Sequence, residues 1–282
     1  MPESSDRIRH AITTWPYMLF GERWDLDTLC QVACDLGCVG LDLAGPEHWP
    51  TMAKYGLISV LSPNGMPDPP FMKGLNNPKY HDEVIARTLR RIDECAQAGV
   101  PAVIAFTGFG YRDAEDPNSG EIPPDEGAAN TIRGLQLVAL EAERKGVTIV
   151  LEHLNTRVSG DDWRGHPGYQ GDDIDYCADI IRAVGSPRVK LLFDVYHVQI
   201  MNGDVISRIR EYGNDLIGHV HVAGVPGRRE LDDGQELRFG PIMQALVDIG
   251  YEGYVGQEFI PTKDPREGLR EAIEACSVHA TV

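Results

Sequence analysis

Eight short apolar runs, each followed by a segment of helical period, limit most strongly how this 282-residue chain can fold. The runs are His10–Thr13, Val39–Leu43, Leu57–Leu61, Ala102–Phe106, Val147–Leu151, Val189–Phe193, Ile217–Val222 and Tyr254–Gln257. Short runs bounded by turn residues read as strands. Helices are predicted over Leu26–Leu36, Pro46–Tyr55, Lys79–Ala98, Asp125–Lys145, Ile174–Val184, Val205–Tyr212, Pro241–Ile249 and Arg266–Ser277. In the third of these, Val84, Thr88, Ile92, Cys95 and Ala96 recur at three- and four-residue steps and so line one face. Gly37, Gly99, Gly146 and Gly250 stand just past four helices, where a left-handed cap favours glycine.

Strand–helix alternation predicts a parallel sheet. Eight repeats favour its closure into a single-domain (β/α)₈ TIM barrel over residues 1–282, ahead of an open doubly wound sheet. No G-x-G-x-x-G follows the first strand, so nothing points to a dinucleotide fold. Three long loops, Ser62–Pro78, Thr107–Pro124 and Asn155–Gly171, follow strands and are expected over the C-terminal face as substrate walls or lids.

Net charge is −17, which opposes binding to polyanionic nucleic acid. No apolar run reaches the roughly 20 residues needed to span a bilayer. The polar stretch from Met1 to Arg9 lacks the apolar core of a secretory signal. The six cysteines include no C-x-x-C pair and are expected as small buried residues in a reducing compartment. A cytoplasmic protein without membrane or nucleic-acid partners is the expectation, and a homo-oligomer is compatible with it.

Chemistry is expected where four strands end. Glu152, Asp194, His221 and Glu258 close or follow the last four strands, at separations of 42, 27 and 37 residues, each about one repeat. Singly, each could cap a helix or face solvent. Four acidic or imidazole groups at successive strand ends point instead to a shared cation, because a buried charge costs free energy unless it is paired. The oxygen-rich set suits one divalent ion, Mn²⁺ or Mg²⁺, with Co²⁺ also compatible. His219 and His221 point to the same side of their strand, so period does not choose between them. His221 is nearer the C-terminal end and is the expected ligand. His197 and Arg228 are expected to contact a substrate oxygen or carboxylate.

Four stretches resemble the hydroxypyruvate isomerase family within the xylose-isomerase-like barrels. They are Leu151-Glu-His-Leu-Asn-Thr-Arg157, Phe193-Asp-Val-Tyr-His-Val-Gln-Ile-Met-Asn-Gly203, Gly218-His-Val-His-Val-Ala-Gly-Val-Pro-Gly-Arg228 and Gly250-Tyr-Glu-Gly-Tyr-Val-Gly-Gln-Glu-Phe-Ile-Pro261. The resemblance is densest from Val147 to Pro261. It implies Glu152, Asp194, His221 and Glu258 as the metal shell, Glu152 and Glu258 as an acid–base pair, and His197 and Arg228 as substrate contacts. The implied reaction isomerises a small hydroxycarbonyl compound through an enediolate, such as hydroxypyruvate to tartronate semialdehyde or a related 2-oxo acid. Members of that group often carry Gln where His221 stands and Pro where His153 stands. A histidine at 221 is similar to the ketose 3-epimerases, which makes epimerisation the alternative. A phosphodiesterase of the endonuclease IV type is disfavoured by the net charge and by Ala105-Phe-Thr-Gly108, which offers no further ligand. A non-catalytic barrel is disfavoured by the intact glutamates.

Overall fold

A computed structural model describes residues 6–159 and 163–279. Residues 160–162 of the predicted Asn155–Gly171 loop, and the first five residues of the Met1–Arg9 stretch, lie outside the described residues. In chain order the elements are β1 (Arg9–Thr13), α1 (Thr14–Leu19), α2 (Leu26–Asp35), β2 (Gly40–Asp42), α3 (Trp49–Lys54), β3 (Ile58–Leu61), a 3₁₀ turn (Pro78–Tyr80), α4 (His81–Ala98) and β4 (Ala102–Phe106). There follow β5 (Tyr111–Asp113), β6 (Asp116–Glu121), α5 (Pro124–Lys145), β7 (Thr148–Glu152), α6 (Ile174–Val184), β8 (Val189–Asp194), α7 (Val195–Met201), α8 (Val205–Leu216), β9 (Ile217–Val222), α9 (Phe239–Asp248), β10 (Tyr254–Gln257) and α10 (Pro265–Cys276).

All eight expected strands are present, three of them with identical ends. Gly37, Gly99, Gly146 and Gly250 all adopt positive φ, as a left-handed cap requires. The predicted end of α8 at Tyr212 marks a real break, because Gly213 leaves helical geometry at φ 60° and ψ −176°. Helices α1 and α7 and the β5–β6 hairpin were not expected. The helix α7 begins directly on the end of β8, and its Val-Tyr-His-Val-Gln-Ile-Met sequence has strand propensity. The Asp194 carboxylate overrides that preference by accepting from the backbone N–H groups of Tyr196 and His197. Strand β6, Asp-Pro-Asn-Ser-Gly-Glu, has loop composition and pairs only because β5 lies antiparallel to it.

Contacts group the chain into two compact units. In the unit of residues 1–60 and 204–282, β1 pairs in parallel with β2 and with β10, and β10 pairs in parallel with β9. The register sets Thr13 beside Asp42 and His221 beside Gly256. In the unit of residues 61–203, β4, β7 and β8 are parallel neighbours, with Phe106 beside Glu152 and Glu152 beside Leu192. Strand β4 is buried throughout, as are Ile149–Leu151 and Leu191–Phe193. Such unbroken apolar strands are those of a parallel sheet covered on both faces. The cysteines are all free, five buried and Cys34 partly so. No described helix is long and apolar enough to cross a membrane.

The three long loops after strands are laced together. Phe109 N donates to Met72 O, Gly110 N to Gly168 O, Gln170 N to Gly108 O and Leu154 N to Gly171 O. Asn76 adds side-chain bonds to Phe109 O and Gln170 Oε1, both at 2.8 Å. These bonds tie the three loops to one another.

A second tie lies in the unit of residues 1–60 and 204–282. Asp6 accepts from His10 Nε2, from Ile8 N and from Val278 N, each at 3.0 Å. Burial pushes its carboxyl up, but the His10 ring, Ser277 and the two backbone N–H groups outweigh this and hold it well below 3.8. A depressed carboxyl contributes stability above its unfolded pKa and loses it as pH falls through the folded value. The gap in unfolding free energy between the parent and Asp6→Asn is therefore expected to be full at pH 7 and to close progressively below pH 3.8. Denaturant titrations at a series of pH values would measure it, and a gap independent of pH would refute the ionic tie.

Candidate metal centre and active site

Each unit carries half of the expected donor set at the C-terminal ends of neighbouring parallel strands. In the second unit, Glu152 is the last residue of β7 and Asp194 the last of β8. Both are buried, and their donor oxygens lie within 4.8 Å of one another. Asp194 Oδ1 is the cap of α7, at 2.7 Å from Tyr196 N. This bond fixes the carboxylate at the start of the helix. The Glu152 backbone is fixed too: Tyr169 Oη donates to Glu152 O at 2.8 Å and accepts from Thr107 N at 2.9 Å.

His197 is fully buried in the first turn of α7. Its Nδ1 accepts from Asn155 N at 3.0 Å, a group that can only donate, so a neutral ring carries its proton on Nε2. That Nε2 stands 3.5 Å from Asp194 Oδ2. The helix-start position and the orientation beside an expected ligand thus occur together.

In the first unit, His221 Nδ1 stands 3.0 Å from Glu258 Oε2. Arg228 NH2 donates to the same oxygen at 2.6 Å, and Trp15 Nε1 donates to Oε1 at 2.8 Å. The Arg228 guanidinium also lies over the Trp15 ring, 5.0 Å from its centroid. Arg228 is only 3% exposed, so it is a buried charge. Burial pushes the Glu258 carboxyl up, but Arg228 first, then His221 and the Trp15 N–H, hold it well below the usual range.

Behind His221 lies Asp42, buried at the end of β2. Its Oδ2 stands 2.5 Å from His219 Nε2 and 3.2 Å from His221 Nε2. Burial raises this carboxyl, yet the two imidazoles, His219 first, lower it to about 2. With Nε2 of His221 donating to Asp42, Nδ1 meets the Glu258 carboxylate either through the proton of a charged ring, the state that lowers that carboxyl, or, in a neutral ring, through a cation between the two. Neighbouring ligands of an octahedral ion at about 2.1 Å stand about 3.0 Å apart, which fits the observed pair.

Of the expected residues, His221 and Glu258 come together in one unit and Glu152, Asp194 and His197 in the other. Arg228 reaches Glu258. His219 packs beside His221 with ring centroids 5.1 Å apart and has Asp42 as its partner. Asp42, Trp15 and Asn155 escaped the sequence reading. Asp42 had a usable signal, a carboxylate closing a strand, whereas Trp15 sits on the unexpected helix α1.

Parallel strand–helix repeats with acidic and imidazole donors at strand ends define a class of barrel proteins. The family described as xylose isomerase-like TIM barrel matches residues 51–277, and the chain belongs to it. Among its relatives, a human protein named "Putative hydroxypyruvate isomerase" is 42% identical over 120 residues, 43% of this chain and 41% of that protein. A 2-oxo-tetronate isomerase from Cupriavidus necator is 34% identical over 172 residues, 59% of this chain and 62% of that protein. The matched stretches thus span less than two thirds of either relative. The crystal structure of an AP endonuclease, family 2, from Brucella melitensis covers 93% of this chain and 96% of its own, with a TM-score of 0.78 and 21% identity. At that identity the likeness bears on the fold alone.

Proposed function

We propose that this protein is a metal-dependent isomerase of a small hydroxylated 2-oxo acid, hydroxypyruvate or a close relative, acting through an enediolate. The observation that carries the reading is the His221 Nδ1–Glu258 Oε2 pair at 3.0 Å, two donors facing a position suited to a cation. Further support comes from the kinds of buried donor that each unit places at its strand ends, Glu152 and Asp194 in one and His221 and Glu258 in the other. The hard donors suit Mn²⁺ or Mg²⁺, with Co²⁺ also compatible. A divalent ion there would polarise a substrate carbonyl and acidify the adjacent C–H. Glu152 and Glu258 then serve as the acid–base pair: one removes the proton and one returns it to the neighbouring carbon. Arg228 supplies a buried guanidinium for a substrate carboxylate, and the His197 Nε2–H supplies a donor for a substrate oxygen. The names of the two relatives agree with a 2-oxo acid substrate.

His221 favours a second reading, ketose 3-epimerisation, in which the proton returns to the opposite face of the same carbon. One experiment separates the two. The protein is loaded with Mn²⁺ in D₂O and offered hydroxypyruvate, 2-oxo-tetronate and free ketoses. Deuterium uptake with carbonyl migration is expected for the acids. Turnover of ketoses alone, with inversion, would replace the first reading by the second. Absence of exchange into every compound would sink both.

A further inference from the structure

Asp42 belongs to no step above, yet it is buried with two histidines at its Oδ2. A carboxylate only accepts, so both rings must present Nε2–H to it. This leaves His221 Nδ1 as the atom available to a cation. The contact exists because of a glycine. Gly256 lies beside His221 in the β9–β10 register. A Cβ built there would stand 2.3 Å from Asp42 Oδ2 and 2.9 Å from His221 Cδ2. Both separations are closer than packed atoms tolerate. Any side chain at 256 would therefore displace the carboxylate, the imidazole or both.

We propose that Asp42, seated in the space left by Gly256, is a positioning residue that locks the tautomer and ring orientation of His221. The inference rests on the metal-site reading above. On this reading Asp42 acts through the imidazole, as carboxylates behind metal-ligating histidines generally do. His219 meets the same oxygen at 2.5 Å and helps to hold the carboxylate in place.

The test compares the parent with Asp42→Asn and Gly256→Ala, the second of which keeps the carboxylate and moves it. Two properties are read on folded protein: Mn²⁺ affinity by calorimetry, and the imidazole N–H protons by NMR in the ion-free state. In the parent, His221 is expected to show a slowly exchanging, strongly downfield Nε2–H signal, assigned by its absence in His221→Ala. Both variants should lose that signal and bind Mn²⁺ about 10–100-fold more weakly. A general loss of stability would not remove the signal selectively. Should Asp42→Asn fail to fold, Gly256→Ala decides by the same two readouts. A folded variant that keeps parental Mn²⁺ affinity overturns the proposal. If the parent itself bound no divalent ion, the metal-site reading would fail, whereas the ion-free His221 signal would still decide whether Asp42 orients the ring.

Discussion

Glu152→Gln is expected to lower kcat roughly 10²–10⁴-fold, the usual worth of a positioned general base or acid. The amide keeps the shape of the side chain and one oxygen donor but cannot take up a proton. The backbone beneath it stays fixed, because Tyr169 Oη still donates to the residue-152 carbonyl and β4 and β8 still flank the strand. The loss should therefore fall on turnover. KM should change little, and Mn²⁺ should still bind, though more weakly, through the remaining donors. Steady-state kinetics with metal analysis of the same sample would check this. Turnover within a few-fold of the parent, metal retained, would remove Glu152 from the acid–base pair.

The second large effect concerns stability. Arg228→Met is expected to destabilise the ion-free protein by about 3–5 kcal/mol, because it strands the buried Glu258 carboxylate without its strongest cationic partner. Methionine retains apolar volume over Trp15, so lost packing is the smaller part of the change. The sign with pH follows from the depressed Glu258 carboxyl. The pair's contribution is present above the ordinary value of 4.5 and is lost as pH falls toward the folded value. Saturating Mn²⁺ should narrow the gap between parent and variant, since a bound cation supplies the missing positive charge and stabilises whichever state binds it. Urea unfolding with EDTA and with Mn²⁺ measures both gaps. An identical gap in the two conditions would mean that Glu258 is not a ligand.

Much of the fold was legible because its strands are buried on both faces. Continuous apolar runs such as Ala102–Phe106 and Val189–Phe193 have one stable use in a parallel sheet, and glycine after a helix marks where the chain turns back. The elements that escaped are those whose local preference is overruled by neighbours. Helix α7 forms on a strand-like sequence because Asp194 caps it, and β6 pairs despite its loop composition.

The candidate site divides in the same way. Glu152, Asp194, His221 and Glu258 are candidates by position in the sequence, since a charged or imidazole group ending an apolar strand is an exception that chemistry must explain. The choice of His221 over His219 lay beyond any periodicity, because both rings leave the same side of β9. It turns on which ring nitrogen faces Asp42 and which faces Glu258. The burial of Arg228 is likewise invisible in Val225-Pro-Gly-Arg228, which reads as a surface turn until Trp15 and Glu258 close around it. Sequence by itself determined the repeat, the strand ends and the kinds of donor placed there, because these follow from local polarity and spacing. Tertiary structure alone decided which donors share an oxygen, which are oriented by a third group and which charges are cut off from water. Those properties depend on distances of a few ångströms between residues far apart along the chain.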